Sequence, residues 1–175
     1  MSTKRVNRVL LNHEQIRDVV DRLAEEIRRD YKQKTPVLVG ILKGSFVFMA
    51  DLIRALNMPL EVDFVILSSY GSGTESSGEI KVIHGLESSI EGKDVLIVED
   101  IIDSGLTLSL FLEELRRRKP ASLRLCVLVD KVARRKLNVL IDYIGVQVQD
   151  EFVVGYGIDY DEQYRYLPDL YVVED

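Results

Sequence analysis

The chain has 175 residues, of which 46% are hydrophobic and 30% are charged, and its formal net charge at pH 7 is −6. This length and composition are typical of a single globular domain with a hydrophobic core of its own. Nucleic acids and anionic membranes attract proteins through a positive field, so the negative charge disfavours both as partners. No apolar run reaches the roughly 18 residues of a membrane-spanning helix, and no membrane partner is expected.

The cysteine content and the amino-terminal segment indicate a cytoplasmic protein. The one cysteine, Cys126, lies in the apolar run LRLCVLV and has no partner for an internal disulfide, which suits a reducing compartment. It is expected to be a buried core residue and not a nucleophile, because no acid–base residue is near it in the sequence. The segment MSTKRVNRVL lacks the apolar core and the cleavage pattern of a signal peptide. The cytoplasm is therefore the expected compartment.

Hydrophobic periodicity predicts strands that alternate with helices along the chain. The first helix, over residues 12–33, opens with a capping-box pair formed by Asn12 and Gln15. The elements that follow are a strand over 37–41, a helix over 45–56, strands over 62–67, 80–84 and 95–98, a helix over 105–119 and a strand over 123–129. The tail carries two shorter strand-like pieces, FVV and LYVV. This alternation predicts an α/β fold with a mostly parallel sheet covered on both faces.

Three carboxylates crowd the end of the apolar strand over 95–98. Glu99 and Asp100 follow this strand directly, and Asp103 comes almost at once. Ligands of parallel α/β sheets bind outside the carboxyl ends of the strands, so these acids are candidates for a binding site. Crowded carboxylates repel one another and are tolerated where a cation or the chemistry uses their charge. They suit Mg²⁺, which prefers oxygen ligands, and they can accept hydrogen bonds from sugar hydroxyls.

The turn DSGLT (Asp103–Thr107) comes next and opens a helix. Free backbone N–H groups at a helix start form a pocket for an anion such as phosphate. Two other interpretations fit this segment taken alone. In one, the acidic loop merely caps the helix, with Asp103 or Ser104 at the N-cap. In the other, the acids belong to a receiver-type phospho-acceptor domain, which accounts poorly for the rest of the chain.

Four segments carry a resemblance to a known family. VLIVEDIIDSGLT (Val95–Thr107) resembles the phosphoribosyl-pyrophosphate-binding signature of the type I phosphoribosyltransferases. The segments GILKGSFVFMADL, SSYGSGTESSG and DEFVVGYGIDYDEQYRYLP are similar, in order and spacing, to those of the hypoxanthine-guanine phosphoribosyltransferases. One departure is Val132, where bacterial members often have proline, and it affects the local turn and not Lys131 itself. The resemblance covers nearly the whole chain.

This resemblance implies a fold and an activity. The fold would be one domain over residues 1–175, an α/β structure with a mostly parallel twisted sheet flanked by helices. A small hood subdomain would come from about residues 1–11 and 140–175. The activity would be purine salvage, in which the phosphoribosyl group of 5-phosphoribosyl 1-pyrophosphate is transferred to hypoxanthine or guanine and pyrophosphate is released. The cofactor would be Mg²⁺, and the assembly a homodimer or homotetramer.

The resemblance also implies a role for each matched site residue. Asp103 would lie beside the purine N7 as a general base or electrostatic partner. Glu99 and Asp100 would face the ribose hydroxyls and their Mg²⁺, and Asp159 would bind a second Mg²⁺. The pyrophosphate would meet Leu42, Lys43 and Gly44, with a non-proline cis peptide bond between Leu42 and Lys43. Arg165 and the lid residues Ser69 and Tyr70 would also meet it. The lid would span roughly residues 69–79. The 5′-phosphate would meet Ser104, Gly105, Leu106 and Thr107, and the purine would meet Lys131 at its 6-oxygen, Phe152 by stacking and Val153 through its backbone.

Two functions of other classes remain open on this scaffold. An RNA-binding regulator would need a basic face, against which the net charge of −6 argues. A catalytically silent nucleotide sensor would not need Asp103 and Lys131, both of which are present. Transfer of a phosphoribosyl group is therefore the expected function.

Overall fold

The computed structural model describes residues 5–69 and 80–174. Within these ranges the chain forms nine strands, three α-helices and one short 3₁₀-helix. In chain order they are β1 (Arg5–Leu11), α1 (His13–Asp30), β2 (Val37–Leu42), α2 (Phe46–Leu56), β3 (Glu61–Ser69), β4 (Ile80–His84), β5 (Asp94–Ile102), α3 (Leu106–Arg117), β6 (Ser122–Lys131), the 3₁₀-helix (Val132–Arg134), β7 (Tyr143–Val148), β8 (Phe152–Val154) and β9 (Leu170–Glu174). The expected lid lies outside the described residues except for Ser69, at the end of β3, so Tyr70 is not described.

A six-stranded sheet in the order β4-β3-β2-β5-β6-β7 forms the centre of the fold. Strands β3, β2, β5, β6 and β7 pair in parallel, and only the edge strand β4 is antiparallel to its neighbour. The predicted mostly parallel sheet is confirmed. None of the helices in the described ranges combines the length and the apolarity that a membrane crossing requires.

Helices cover both faces of this sheet. Leu96 packs with the buried residues of α1 and α2, whereas its neighbour Ile97 packs with those of α3. Successive side chains of a strand point to opposite faces, which explains why the central strand is apolar at every position from Val95 to Val98. Cys126 is fully buried in the same core, and burial raises the pKa of its thiol. It is a core residue, as the sequence predicts.

A second, three-stranded sheet joins the two ends of the chain. Its order is β1-β9-β8, and both pairings are antiparallel. The strand β7, which precedes β8 by a short connection, belongs to the large sheet instead. Strands β1 and β7 were not among the elements that the hydrophobic periodicity predicts, whereas β8 and β9 correspond to the pieces FVV and LYVV.

The fifth strand is longer than the sequence pattern predicts. It runs over Asp94–Ile102, so Glu99 and Asp100 lie within the strand and not after its end. The prediction that both acids follow the strand is wrong, because Ile101 and Ile102 continue the ladder and pair with Val129 and Asp130 of β6. Only Asp103 lies beyond the strand, in the turn before α3.

Candidate active site

The turn between β5 and α3 forms one wall of a cleft at the carboxyl edge of the sheet. Gly105 has a φ of +78° and occupies the N-cap position of α3, so the helix start has no side-chain cap from that residue. The N–H of Leu106 donates to Ser104 Oγ at 3.4 Å. A cavity of about 260 Å³ opens here, and it is lined by Glu99, Asp103, Ser104, Gly105 and Thr107 among others. Amides at a helix start next to such a cavity suit a phosphate group.

A later segment of the chain supports this turn from behind. The backbone N–H groups of Lys136 and Leu137 donate to the carbonyl oxygen of Ser104 at 3.1 and 3.3 Å. A Cβ atom placed on Gly105 would lie 3.2 Å from Cγ2 of Val139. The segment that follows β6 therefore fixes the turn that precedes α3.

Glu99 and Asp100 are carboxyl groups on adjacent residues near the end of β5. Burial, and then the negative charge of Asp100, raises the pKa of Glu99 well above its usual range. Burial also raises the pKa of Asp100. The backbone N–H of Asp100 donates to Oε1 of Glu99 at 3.2 Å, so the two side chains lie next to each other where burial disfavours their charged forms.

Gly44 leaves room for the carboxylate of Asp100. A Cβ atom on Gly44 would lie 1.9 Å from Oδ2 of Asp100, which is closer than any real contact allows. Another turn, before β9, also packs on this loop, since a Cβ atom on Gly157 would lie 2.6 Å from the carbonyl oxygen of Gly44. The loop after β2 thus lies between β5 and the tail of the chain.

The peptide bond between Leu42 and Lys43 is cis and does not involve proline. This confirms the cis bond expected from the resemblance. Lys43 Nζ contacts Oε1 of Glu162 at 2.9 Å, and both side chains are largely exposed. The hydrogen bond from Lys43 is the main cause that lowers the pKa of Glu162. Sequence reasoning did not single out Glu162, because nothing in its local pattern indicates this long-range partner.

Arg165 makes two polar contacts within the same tail segment. Its NH2 group contacts Oδ1 of Asp159 at 2.8 Å, and its NH1 group donates to the carbonyl oxygen of Gly157 at 2.8 Å. Its Nε atom is buried and has no hydrogen-bond partner among the described residues. Lys43, Asp159, Glu162 and Arg165 therefore form one chain of charged contacts beside the loop after β2.

Lys131, Asp103 and Phe152 meet at the other side of the cleft. Lys131 Nζ lies 3.7 Å from Oδ2 of Asp103 and 5.3 Å from the centroid of the Phe152 ring. The Phe152 ring also makes an edge contact with Tyr160, with centroids 5.2 Å apart. Val153 is buried among core residues, so only its backbone is available to a ligand. An ammonium group and a carboxylate next to an aromatic ring suit a flat polar base.

Arg134 is a further charged group at this side. Its NH1 atom lies 3.9 Å from Oδ2 of Asp103, and its Nε atom contacts Asp150. No motif in the sequence gives Arg134 a role, although the run KVARR places two arginines just after Lys131. Arg134 therefore links Asp103, which follows β5, to Asp150, which precedes β8.

The oxygen donors at the site fit Mg²⁺. Among the described residues, no three His, Cys, Asp or Glu side chains converge as a ready-made metal cage. Mg²⁺ is commonly held by one or two carboxylates, with substrate oxygens and water as the other ligands. Asp100, which is buried, and Glu99, which is partly buried, provide two such groups, and Gly44 leaves room for the Asp100 carboxylate. A cation there would offset the cost of burial, which is the main cause that raises the pKa of Glu99, and the repulsion from Asp100.

Comparison with known proteins shows the protein family to which this chain belongs. A family model described as a phosphoribosyl transferase domain matches residues 8–161. The hypoxanthine-guanine phosphoribosyltransferase of Bacillus subtilis is 47% identical over 169 residues, which are 97% of this chain and 94% of that protein. The chain belongs to the hypoxanthine-guanine phosphoribosyltransferase family.

Solved structures of family members have the same fold. The crystal structure of a hypoxanthine phosphoribosyltransferase from Staphylococcus aureus gives a TM-score of 0.93 at 47% identity, and covers 97% of this chain and 92% of that one. A structure of Trypanosoma cruzi hypoxanthine phosphoribosyl transferase gives a TM-score of 0.92 at 40% identity, with 99% and 94% covered. The Trypanosoma cruzi structure concerns the role of the C-terminal region of that protein in its oligomeric state and its enzymatic activity. These relatives are enzymes, which gives the RNA-binding alternative no support.

Proposed function

We propose that this protein transfers the phosphoribosyl group of 5-phosphoribosyl 1-pyrophosphate to hypoxanthine and guanine, giving IMP or GMP and pyrophosphate. The observation that carries the proposal is the position of buried Lys131, 3.7 Å from Asp103 and 5.3 Å from the Phe152 ring. This group lies beside the turn 103–107, whose helix start suits a 5′-phosphate. A base site and a phosphate site at one edge of the sheet are what the transfer requires.

Asp103 is the proton acceptor in this proposal. The purine N9 lone pair forms the new bond to C1′ of the ribose, while the bond from C1′ to the pyrophosphate oxygen breaks and its electron pair leaves with pyrophosphate. The purine then loses its N7 proton to the Asp103 carboxylate. The side chain of Asp103 is 48% exposed and lies at the mouth of the cleft, so a substrate can reach it. A positioned general base of this kind accelerates proton transfer.

Glu99 and Asp100 act on the ribose. Bond breaking at C1′ gives the ribosyl centre oxocarbenium character, and nearby negative charge stabilises it. The carboxylates also orient the ribose hydroxyls by accepting their hydrogen bonds, which lowers the entropic part of the barrier. Bound Mg²⁺ would neutralise pyrophosphate oxygens, and Glu99, Asp100 and Asp159 are the side chains proposed to hold it.

Two loops receive the leaving pyrophosphate. The loop Leu42–Gly44 supplies backbone amides and Lys43, and Arg165 supplies a guanidinium group. The buried Nε atom of Arg165, which has no acceptor within residues 5–69 and 80–174, supports this role, because a buried donor without an acceptor is unfavourable. Ser69 and Tyr70 remain candidates for the lid that excludes water, on the basis of the sequence.

Lys131, Phe152 and Val153 receive the base. The ammonium of Lys131 donates to the purine 6-oxygen, Phe152 stacks on the ring, and Val153 offers backbone groups to the ring edge. We propose that the three-stranded sheet of β1, β8 and β9 is the hood, because β8 carries both Phe152 and Val153. The hood then begins after β7, which belongs to the large sheet.

The proposed assembly is a homodimer or homotetramer. An apolar groove of about 750 Å³ lies between α1, α2 and the tail, away from the base site. Phe46 and Tyr166 line it, and their exposed fractions are 46% and 82%. Large exposed apolar groups in one groove are typical of protein contacts. The C-terminal role in the Trypanosoma cruzi protein supports a second copy of this chain as the occupant.

The cytoplasm remains the proposed compartment, since Cys126 has no disulfide partner in the chain.

A direct assay tests the function. The purified protein, with Mg²⁺ and 5-phosphoribosyl 1-pyrophosphate, should convert hypoxanthine to IMP and guanine to GMP with release of one pyrophosphate per turnover. Omission of the base should abolish pyrophosphate release. Absence of both nucleotides under these conditions would refute the proposal and would favour the silent nucleotide sensor.

A further inference from the structure

A buried ion pair between Asp130 and Arg135 lies at the start of the segment that follows β6. Oδ1 of Asp130 accepts a hydrogen bond from the NH2 group of Arg135 at 2.6 Å, and Oδ2 of Asp130 accepts one from Gln147 at 3.1 Å. The Asp130 side chain is 5% exposed and that of Arg135 is 16% exposed. The NH1 group of Arg135 donates to the carbonyl oxygen of Val139 at 3.2 Å. One guanidinium group therefore holds both ends of the segment from Asp130 to Val139.

The closed segment carries the groups that support the phosphate turn. The backbone amides of Lys136 and Leu137 donate to the carbonyl oxygen of Ser104. Val139 is in contact with Gly105, where an added Cβ atom would lie 3.2 Å from its Cγ2 atom. Arg135 lies between the two ends of this segment and touches neither the turn nor the cleft lining in the contacts of the described residues. Its effect on the turn must pass through the segment.

Stability alone does not explain this ion pair. A buried ion pair loses hydration, and its replacement by apolar side chains is often neutral or stabilising. The Nε atom of Arg135 is buried without a hydrogen-bond partner among the described residues, which adds a further desolvation cost. The arrangement does fix one conformation of a segment that would otherwise be free to move. Fixing a conformation is a role that buried ion pairs fill in some proteins.

We propose that Arg135 is a positioning residue for the 5′-phosphate turn, acting through Asp130 and Val139 to hold the Lys136 and Leu137 amides against Ser104. The proposal rests on the proposed function, because the turn is taken as the 5′-phosphate site. Asp130 and Lys131 are neighbours in a strand and face opposite sides of the sheet. The base site is therefore expected to remain intact when the ion pair is removed.

The experiment uses the variant Arg135→Met, which keeps most of the side-chain volume and removes the guanidinium group. KM for 5-phosphoribosyl 1-pyrophosphate should rise by roughly 10- to 100-fold, the effect of a small displacement of a binding group, while KM for hypoxanthine changes much less. Calorimetry should show weaker binding of IMP and unchanged binding of inosine, which lacks the 5′-phosphate. Loss of affinity that is confined to the phosphorylated ligand is not expected from general destabilisation.

A double variant separates positioning from stability. Asp130→Leu with Arg135→Met replaces the ion pair by apolar groups and should recover the melting temperature, while KM for 5-phosphoribosyl 1-pyrophosphate stays high. If the double variant recovered both the native melting temperature and the native KM for 5-phosphoribosyl 1-pyrophosphate, the proposal would be overturned. This variant also keeps the test available if Arg135→Met alone does not fold.

Arg124→Met is the matched control. Arg124 pairs with Asp30 and with the hydroxyl of Tyr143 at the opposite end of β6, so its loss should lower the melting temperature and leave KM for 5-phosphoribosyl 1-pyrophosphate unchanged. Unaltered IMP affinity in Arg135→Met, with an active native enzyme, would overturn the positioning role alone. A native protein that neither forms IMP nor binds IMP more tightly than inosine would overturn the proposed function, and the positioning role with it.

Discussion

The ammonium nitrogen of Lys131 lies 3.7 Å from Oδ2 of Asp103, although the two residues belong to different strand–turn units. Lys131 ends β6, whereas Asp103 follows β5, and the parallel pairing of these strands brings their carboxyl ends together. The ring of Phe152 approaches the same nitrogen from the small sheet. A hydrogen-bond donor for the base and a proton acceptor for the reaction are therefore held in one place by the topology of the sheet.

Replacement of Asp103 by asparagine should remove the proton acceptor and keep the shape of the side chain. We expect kcat to fall by roughly 10²- to 10⁴-fold, the usual contribution of a general base, while 5-phosphoribosyl 1-pyrophosphate still binds. Steady-state kinetics and calorimetry would measure the two effects. Asp18→Asn, at an exposed position of α1, is the control and should leave kcat unchanged. An Asp103→Asn variant with native kcat would remove Asp103 from the mechanism.

Replacement of Glu99 by glutamine should change how stability depends on pH. Burial, and then the negative charge of Asp100, holds the pKa of Glu99 in the folded protein well above 4.5, the ordinary value of a glutamate side chain. Between these two values the folded protein holds a proton that the unfolded chain has lost, so the native protein loses stability as the pH rises. The glutamine amide stays neutral and avoids this loss. The melting temperature of Glu99→Gln relative to the native protein should therefore increase as the pH is raised from about 5 upward without divalent cations.

The exposed residue Glu91 provides the matched control for this measurement. Glu91→Gln should follow the native pH dependence. A constant difference in melting temperature between Glu99→Gln and the native protein across this range would contradict the raised pKa of Glu99. Mg²⁺ with pyrophosphate should also stabilise the native protein more than Glu99→Gln, because the variant lacks one of the proposed ligands.

Replacement of Gly44 by alanine should displace the carboxylate of Asp100. The new Cβ atom would lie 1.9 Å from Oδ2 of Asp100, so either the side chain or the loop must move. Displacement of a catalytic group by about 1 Å can lower the rate by roughly 10²-fold, and we expect kcat/KM to fall by at least that factor. Gly85→Ala is the control, since among the described residues its Cβ would meet only Cγ1 of Val82, at the ordinary contact distance of 3.6 Å. Equal activity of the two variants would argue against a role for this contact.

Replacement of Tyr166 by glutamate tests the proposed oligomer. Tyr166 is 82% exposed in the single chain and lines the apolar groove, so a charge there should oppose burial against a second copy. Light scattering should show a smaller assembly than for the native protein. The control Leu140→Glu changes another exposed apolar residue, 77% exposed and outside the groove. A native protein that is already a monomer would refute the assembly itself.

The sequence predicts those parts of the fold whose signals are local. The capping box of α1 is confirmed, with Asn12 and Gln15 exchanging hydrogen bonds of 2.9 Å. Strand β1 was missed because its partner β9 lies at the other end of the chain, and its register with Arg5 opposite Glu174 depends on the whole fold. The end of β5 was placed too early, because two acids within a strand mimic the start of a loop.

The site shows the same division between local and long-range signals. The cis bond at Leu42 is confirmed, and the resemblance could identify it because the segment around it matches the family over many residues. The contact of Gly44 with Asp100 and the ion pair of Lys43 with Glu162 could not be predicted, because each joins elements that are distant in the sequence. The ion pair of Asp130 and Arg135 is short-range, but only the structure shows that it is buried and that the segment it spans donates two amides to Ser104.

The choice of base should depend on Lys131. An ammonium group only donates hydrogen bonds, and the 6-oxygen of hypoxanthine or guanine accepts them, whereas the 6-amino group of adenine donates. Adenine would therefore place donor against donor and leave one hydrogen-bond donor of the buried ammonium without an acceptor. A site built to bond one polar group can reject the mismatched analogue by roughly 10⁴-fold or more, so adenine should be a very poor substrate of the native enzyme.

Lys131→Ala should lose much of its kcat/KM for hypoxanthine and guanine, while the small rate with adenine should fall far less. The measurement is kcat/KM for the three bases in the native enzyme and in the variant. Lys93→Ala is the control, because Lys93 precedes β5 at the opposite edge of the sheet and pairs with Glu61. Its three values should match those of the native enzyme. If the native enzyme used adenine as well as hypoxanthine, or if Lys131→Ala lowered all three values equally, Lys131 would not be the residue that selects the 6-oxygen.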